Sequence, residues 1–238
     1  MENILEVKGV GKNFGGFTAL SDVNLSVRKG ERLGLIGPNG SGKTTLISCI
    51  SGALQNDGGT IRFNGESIET LPAYARTRRG IARSFQIPRP FASMTVLENM
   101  MVPLAYVGGI SGTKARKHGL EILAEMGLAE KAESSSASLS QVELRKMELA
   151  RAMAARPQLL ISDEAMAGLS GSEVDDVLDI LIKLNKQGIT IIMIEHIMHA
   201  VMRFSERIIC LDAGKIICDS DPKTVVGNPQ VQRAYLGD

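Results

Sequence analysis

The chain has 238 residues, of which 44% are apolar and 22% are charged, and its formal net charge is +1. This length supports a substantial buried core, and the near-neutral charge excludes a strong field of the kind that attracts nucleic acid or an anionic membrane. The N-terminus lacks the basic and apolar regions of a signal peptide. The most apolar long run, residues 189–202, is interrupted by Glu195 and His196, so no segment is predicted to span a bilayer.

The chain opens with residues 4–27, in which apolar and polar side chains alternate around a glycine pair at positions 15 and 16. This pattern predicts antiparallel strands joined at the glycines. Phe14 precedes the glycines in a chain that is poor in aromatic residues. Its ring could pack within the sheet or stack on a base, and the residues leave both open.

A glycine-rich segment lies between a strand-like run at 31–36 and a helix-like run at 45–50, and its residues are Gly37, Pro38, Asn39, Gly40, Ser41, Gly42, Lys43, Thr44 and Thr45. Glycine, four residues and then Gly-Lys-Thr form the pattern of a phosphate-binding P-loop. Glycines let several backbone N–H groups face one anion, and the N-terminus of the following helix adds positive potential. Lys43 is predicted to reach the β- and γ-phosphates, and the Thr44 hydroxyl to bind Mg²⁺.

After the P-loop, residues 58–65 and 81–85 have the composition of strands, and the second of these is predicted to end at Gln86. A basic run at 76–79 is typical of a solvated helix face. From about 91 to 155 helical patterns replace strand patterns. We therefore predict a helical subdomain at 91–155, inserted into an α/β core of residues 1–90 and 156–238, with helices at 95–105, 113–126 and 140–155.

The core pattern resumes with an apolar strand at 158–162, a helix at 171–187, a buried strand at 189–194 and a hairpin that turns at 212–214. Strands that alternate with helices predict an α/β fold with a mostly parallel sheet, here a P-loop NTPase core with an N-terminal antiparallel β subdomain. Ligands of such sheets bind at the carboxyl ends of the strands. Gly37, Asp163 and His196 all follow strands of this kind.

Asp163 and Glu164 follow an apolar strand, as the carboxylates of a Walker B motif do. Asp163 can hold Mg²⁺, directly or through water, and Glu164 can orient or deprotonate an attacking water. The alternative is a solvated Asp-Glu turn, which is less probable in a chain that also carries a P-loop.

The P-loop, Gln86, a helical insertion, Asp163-Glu164 and His196 occur in that order, and nearly the whole chain resembles the nucleotide-binding domains of ABC transporters. It is most similar to the ATPase subunits of bacterial branched-chain amino acid importers. The stretches that carry this narrower resemblance are residues 80–91, 94–99, 166–169 and 233–237.

The resemblance implies a role for each matching residue. Phe14 would stack on adenine, and Gln86 would contact Mg²⁺ or the water and report the nucleotide state to a membrane subunit. His196 would contact the γ-phosphate, and residues 167–170 would form the D-loop that reaches a partner subunit. The alternatives are an exposed strand end for Gln86 and a satisfied core position for His196.

The signature motif departs from the family pattern. Leu-Ser-Gly-Gly-Gln or Leu-Ser-Tyr-Gly-Gln is expected, whereas residues 139–143 read Leu-Ser-Gln-Val-Glu. Ser140 could still donate to a γ-phosphate, but Val142 replaces a glycine and Glu143 replaces a neutral glutamine. Ser140 and Glu143 also match a capping box at a helix start. Ala165 and Ser170 are smaller departures, at positions where proline and Asp or Asn are usual.

The resemblance implies an ATPase with ATP and Mg²⁺ as cofactors, which powers a membrane importer of branched-chain or other amino acids. It implies a peripheral subunit at the cytoplasmic face of the membrane, paired with a second ATPase subunit as a homodimer or heterodimer and with transmembrane permease subunits. No direct contact with the solute is expected. The alternative is an ATP-binding regulatory subunit whose altered signature impairs hydrolysis. An ATPase acting on nucleic acid is a weaker reading, because the sequence has no long coiled-coil insertion and no basic stripe.

Overall fold

The computed structural model describes residues 2–236. These residues form two compact units, 2–76 with 190–236, and 77–189. Both contain strands and helices, which confirms the predicted α/β class. That residues 91–155 form a separate helical subdomain stays a prediction. No helix among the described residues is long and apolar enough to cross a membrane.

The first unit contains an antiparallel sheet with the strand order β2-β1-β4-β5. Its strands are β1 (Asn3–Phe14), β2 (Phe17–Arg28), β4 (Gly58–Phe63) and β5 (Glu66–Ser67). The first two form a hairpin across Gly15 and Gly16, with Phe14 opposite Phe17. The alternating pattern of residues 4–27 therefore predicted the pairing correctly, although register shifts interrupt the alternation, as at Ile4 and Leu5, which are both buried.

The same unit contains a second set of strands in the order β10-β9-β3-β8. These strands are β3 (Arg32–Ile36), β8 (Thr190–Ile194), β9 (Arg207–Asp212) and β10 (Lys215–Ser220). β3 runs parallel to β8 and β9, whereas β9 and β10 form an antiparallel hairpin. The hairpin turns at Ala213 and Gly214, which both have positive φ angles of 43° and 76°, as a two-residue turn of this kind requires. The remaining elements of this part of the chain are α1 (Lys43–Ser51), α2 (Ala73–Arg78), α7 (Met198–Phe204), α8 (Pro222–Val226) and α9 (Pro229–Leu236).

The second unit combines the parallel strands β6 (Ile81–Ser84) and β7 (Leu159–Asp163) with four helices. The helices are α3 (Val96–Tyr106), α4 (Gly112–Glu125), α5 (Gln141–Ala154) and α6 (Gly171–Lys186). Capping boxes start α3, α5 and α6. The apolar stripe predicted for residues 171–187 is buried along α6, so the period of 3.6 residues identified both the helix and its core-facing side.

The basic run at 76–79 does not form a solvated face along its whole length. Arg78 and Arg79 are exposed, but Arg76 is only 1% exposed. Its guanidinium donates to the carbonyl oxygens of Cys49 and Ile50 in the last turn of α1, and to those of Leu71 and Glu69. The prediction was wrong for Arg76 because these carbonyls, left open at a helix end, need donors from elsewhere in the chain. The three cysteines, Cys49, Cys210 and Cys218, are buried and free.

A buried carboxylate fixes the beginning of β3. Glu31 is 3% exposed and accepts hydrogen bonds from the backbone N–H and the guanidinium of Arg28, and from Nη1 of Arg207 at 2.8 Å. Arg207 also pairs with Asp219. Burial by itself raises the pKa of Glu31, but the hydrogen bonds and charges of the two arginines outweigh it and leave the pKa below its usual value. The carboxylate thus joins β3 to the ends of β2 and β9.

We expect Glu31→Gln to lower the free energy of unfolding by about 1–3 kcal/mol at pH 7, because a buried arginine loses a charged acceptor. Since the folded pKa of Glu31 is depressed, its contribution is complete above the ordinary pKa and is lost as the pH falls through the depressed one. Urea unfolding should therefore show the difference from wild type shrinking below about pH 4. Glu125→Gln, at an exposed position of α4, is the control, and an equal loss in both variants would contradict the role of Glu31.

Candidate functional site

The segment from Gly37 to Thr45 bends tightly between β3 and α1. Gly37 and Gly42 have φ angles of 148° and 104°, in the left-handed region that disfavours side chains. A Cβ at Gly37 would lie 2.0 Å from the carbonyl oxygen of Leu211, and one at Gly42 would lie 2.6 Å from that of Ala19. Any side chain at either position would displace this backbone.

Lys43, the first residue of α1, is 6% exposed and folds back into the loop. Its Nζ donates to the carbonyl oxygens of Gly37 at 2.7 Å and Pro38 at 3.0 Å. Asn39, Gly40 and Thr44 are exposed, whereas Ser41 is buried. The loop therefore presents a cation and the N-terminus of a helix together, which is the arrangement that binds phosphate.

Two contacts from the C-terminal part of the chain hold the loop from outside. The N–H of Gly214, in the turn between β9 and β10, donates to the carbonyl oxygen of Ser41 at 2.9 Å. The N–H of Gly37 donates to the hydroxyl of Tyr235 in α9 at 2.8 Å. Tyr235 lies in the stretch 233–237 that carries the family resemblance, but its contact with Gly37 was not predicted, because no local pattern connects residues so distant in sequence.

Phe14 lies at the tip of the β1–β2 hairpin and is 47% exposed. It does not pack in the interior of the sheet, so its face is accessible for stacking on a planar ligand. Lys12 Nζ lies 5.6 Å from the ring centroid and forms an ion pair with Asp57 at 2.6 Å. Phe17, across the hairpin, is 60% exposed and was also missed, although its place beside a glycine pair was visible in the sequence.

His196 follows β8 in the first unit and is exposed, whereas its neighbour Glu195 is 2% exposed. This placement rules out the alternative that His196 is a buried core histidine. An exposed imidazole at the carboxyl end of a parallel strand lies where such sheets bind ligands.

In the second unit, two pairs of side chains join the ends of β6 and β7. Asp163 is 5% exposed and pairs with Arg83 Nη2 at 2.5 Å. Gln86, which is exposed, donates its side-chain amide to Oε2 of Glu164. Glu164 has a φ angle of 47°, an uncommon conformation for a residue with a side chain and one that concentrates at functional sites. The two predicted carboxylates are therefore held in place rather than solvated.

Arg83 was read in the sequence only as part of a strand, although a charged residue in a four-residue buried strand is itself a signal. Among residues 2–236, no cluster of three or more His, Cys, Asp or Glu side chains is arranged to hold a metal ion by itself. Asp163 pairs with Arg83 through Oδ2, so Oδ1 is the oxygen that would bind a Mg²⁺ ion, which takes few protein oxygens and the rest from water and phosphate.

The altered signature starts α5 in the second unit. The Ser140 hydroxyl accepts from the N–H of Glu143, and the Glu143 carboxylate accepts from the N–H of Ser140 at 2.8 Å. Lys131 Nζ lies 3.6 Å from the same carboxylate. The backbone hydrogen bond from Ser140 is the main cause that holds the pKa of Glu143 below its usual value. The predicted capping box is confirmed, and an anion of the chain itself lies at this helix N-terminus.

Comparison with known proteins adds independent information. The profile of the ABC transporter family matches residues 20–167. The chain is 37% identical to the high-affinity branched-chain amino acid transport ATP-binding protein BraF of Pseudomonas aeruginosa, over 99% of this chain and 98% of that protein. It is 34% identical to the lipopolysaccharide export system ATP-binding protein LptB of Haemophilus influenzae, over the same shares of the two chains.

Two solved structures are also similar. One is the ADP conformation of an ATP-binding cassette of an ABC transporter, with a TM-score of 0.92 and 30% identity over 100% of both chains. The other is a dimeric post-hydrolysis state of an ATP-binding cassette bound to ADP and Pi. Its TM-score is 0.83 and its identity is 28%, over 92% of this chain and 98% of that one.

We expect Lys43→Ala to weaken ATP binding by about one to two orders of magnitude, because a charged donor to the phosphates is removed. A nucleotide titration measures this affinity, and a thermal melt checks that the variant folds. Lys8→Ala is the control, since Lys8 is exposed and forms an ion pair with Glu6 at 3.1 Å. Unchanged affinity in Lys43→Ala would remove the P-loop from the binding site.

Proposed function

The chain belongs to the ABC transporter family, and we propose that it is the ATPase subunit that powers the import of branched-chain or other amino acids. Binding and hydrolysis of ATP are supported by membership of this family and by the similarity of the chain to solved ATP-binding cassettes. The observation that supports the cargo is the full-length similarity to BraF. LptB, at a comparable identity, is named for lipopolysaccharide export, so the direction and cargo of transport are what the experiment below must decide.

We propose that the backbone of residues 37–45 and Lys43 bind the phosphates of ATP, and that Phe14 stacks on adenine. Thr44 and Asp163 would hold Mg²⁺, which neutralises charge on the phosphates when it is bound. His196 would contact the γ-phosphate. The support is the exposure of Phe14, Thr44 and His196 and the inward-folded ammonium of Lys43.

Glu164 is the proposed base for the attacking water. Its carboxylate accepts a hydrogen bond from the amide of Gln86, which holds it at the end of β7. A carboxylate of this kind takes a proton from water as the γ-phosphate is attacked. When nucleotide binds, Gln86 would break its hydrogen bond to Glu164 or contact the water and Mg²⁺. The position of Gln86 would then depend on the bound nucleotide and would affect the exposed segment that follows it.

We propose that this segment, residues 86–98, contacts a transmembrane permease subunit, which would place the chain at the cytoplasmic face of the membrane. Phe85, Ile87 and Phe91 are 51%, 68% and 40% exposed, and apolar side chains this close together on a surface are typical of interfaces. The similarity to a dimeric cassette supports a second ATPase subunit, identical or different.

Helix α5 holds this segment from one side. The Glu148 carboxylate, 5% exposed, accepts from the N–H of Arg89 at 3.0 Å and from Arg151. The Arg151 guanidinium also donates to the carbonyl oxygen of Arg89 and lies 5.1 Å from the Phe91 ring centroid. The helix that begins at the signature therefore also fixes the proposed permease contact.

The capping box at Ser140 favours a second candidate, an ATP-binding regulatory subunit with impaired hydrolysis. In this family the signature of one subunit serves the ATP bound to the other. Glu143 already accepts from the N–H of the N-cap residue Ser140, and its negative charge would repel a phosphate by about a few kcal/mol at close range. A different partner chain with an unaltered signature would then give one efficient and one inefficient composite site.

We expect Glu164→Gln to retain ATP binding and to lose hydrolysis by about two orders of magnitude or more, because an amide cannot act as a base. Turnover assays and nucleotide titration of the purified chain separate the two effects, with Glu125→Gln as the control. In cells that lack the gene, the wild-type chain should restore uptake of labelled leucine, isoleucine or valine, and Glu164→Gln should not. Equal uptake in cells with and without the gene would contradict amino acid import. Unchanged ATP turnover in Glu164→Gln would show that Glu164 is not the catalytic base.

We expect the double change Val142→Gly and Glu143→Gln to raise the ATPase activity of the chain assayed alone by about tenfold or more, because a barrier difference of about 1.4 kcal/mol is tenfold in rate. The ATP affinity of the monomer should hardly change, since the signature acts on the partner's nucleotide. Glu98→Gln, in the matching capping box of α3, controls for the loss of a helix cap.

Flat turnover in the double variant, with dimer formation confirmed by light scattering, would show that the altered signature is tolerated. A rise that requires an added, unaltered partner ATPase would instead locate the defect in dimer formation.

A further inference from the structure

The backbone of Gly37 is held at both of its polar groups. Its N–H donates to the Tyr235 hydroxyl at 2.8 Å, a contact between residues 198 positions apart. Its carbonyl oxygen accepts from Lys43 Nζ at 2.7 Å. The two peptide groups that meet at the Cα of Gly37 therefore connect the last helix of the described chain to the lysine that faces the phosphates.

Gly37 lies where the strand pairing stops. Ile36, the last residue of β3, is opposite Cys210 in β9, and Gly37 follows it at the beginning of the loop. The Tyr235 hydroxyl supplies an acceptor at this point, so the backbone of the first loop residue is hydrogen-bonded as a strand residue would be.

Gly37 also has little room to move. The space where its side chain would be is filled by the Leu211 carbonyl oxygen and by Ser41 Oγ, at 2.0 and 2.7 Å from an added Cβ. A change in the φ or ψ angle of Gly37 would move its carbonyl oxygen relative to its N–H and, with the carbonyl oxygen, the ammonium of Lys43.

We propose that Tyr235 is a positioning residue of the P-loop, whose hydroxyl orients the Gly37 peptide and so sets Lys43 for binding the phosphates of ATP. This inference rests on the proposed ATPase function. It assigns to the C-terminal helix a role in nucleotide affinity rather than in the chemical step.

The chemistry of the phenol suits this role. Burial raises the pKa of Tyr235 above its usual value, so the hydroxyl stays neutral under physiological conditions and accepts the hydrogen bond without adding charge beside the phosphates. The ring itself is 40% exposed. A phenylalanine would keep the packing of this ring and remove only the acceptor.

The test compares Tyr235→Phe with wild type in the full chain, using ATP and Mg²⁺ as the probe. The loss of one partly buried hydrogen bond should raise the Kd and KM for ATP about three- to tenfold and leave kcat within about twofold. Tyr106→Phe, at a 75% exposed tyrosine of α3, is the matched control and should change neither constant.

Two further measurements distinguish positioning from packing. Hydrogen exchange of the peptide that contains Gly37 should be faster in Tyr235→Phe without nucleotide, because its N–H has lost an acceptor. The urea midpoint of the nucleotide-free chain should stay close to that of wild type.

A lower urea midpoint with unchanged Kd and KM would make Tyr235 a structural residue and overturn the inference, and so would a faster exchange without any change in affinity. Failure of the wild-type chain to bind ATP would instead overturn the proposed function, and the inference with it.

Discussion

The close packing of the P-loop backbone between its neighbours is the constraint on which the first unit depends. Gly37 abuts the end of β9 and Gly42 abuts β2, at distances that admit no side chain. Neighbouring strands thus confine the loop backbone on its outer side. On its inner side, the ammonium of Lys43 donates hydrogen bonds to two carbonyl oxygens of the loop. A loop fixed in this way presents its N–H groups to an anion without first having to order them, which lowers the entropic cost of binding.

In the second unit, two carboxylates are held in place by side chains of a neighbouring strand and the residues that follow it. Asp163 and Glu164 end a fully buried strand, and each has a partner at the end of the adjacent strand β6, in Arg83 and Gln86. A buried carboxylate without a partner would be costly. The pairing orients the two acidic side chains where the chemistry of hydrolysis would require them.

Helix α5 connects two proposed contact surfaces. It begins at the altered signature, where Glu143 binds the helix N-terminus and Lys131. Farther along, Glu148 and Arg151 hold the exposed segment that follows Gln86. The same helix therefore carries both the signature and the side chains that contact the proposed permease segment.

The features that depend on neighbours along the chain could all be predicted from the residues. Spacing identified the P-loop, since a turn followed by a helix needs glycine and lysine at set positions, and the period of apolar residues identified α6 and its buried face. Ser140 and Glu143 are three residues apart, and their capping box was predicted for the same reason.

Tertiary packing alone decided the partners that lie far apart in sequence. Arg76 was expected in solvent but is buried against the open carbonyls of α1, Arg83 was found to neutralise Asp163, and Tyr235 to bind Gly37. Hydrogen-bonding groups that local structure leaves unsatisfied must find partners when they are buried, and which residue provides them depends on the path of the whole chain.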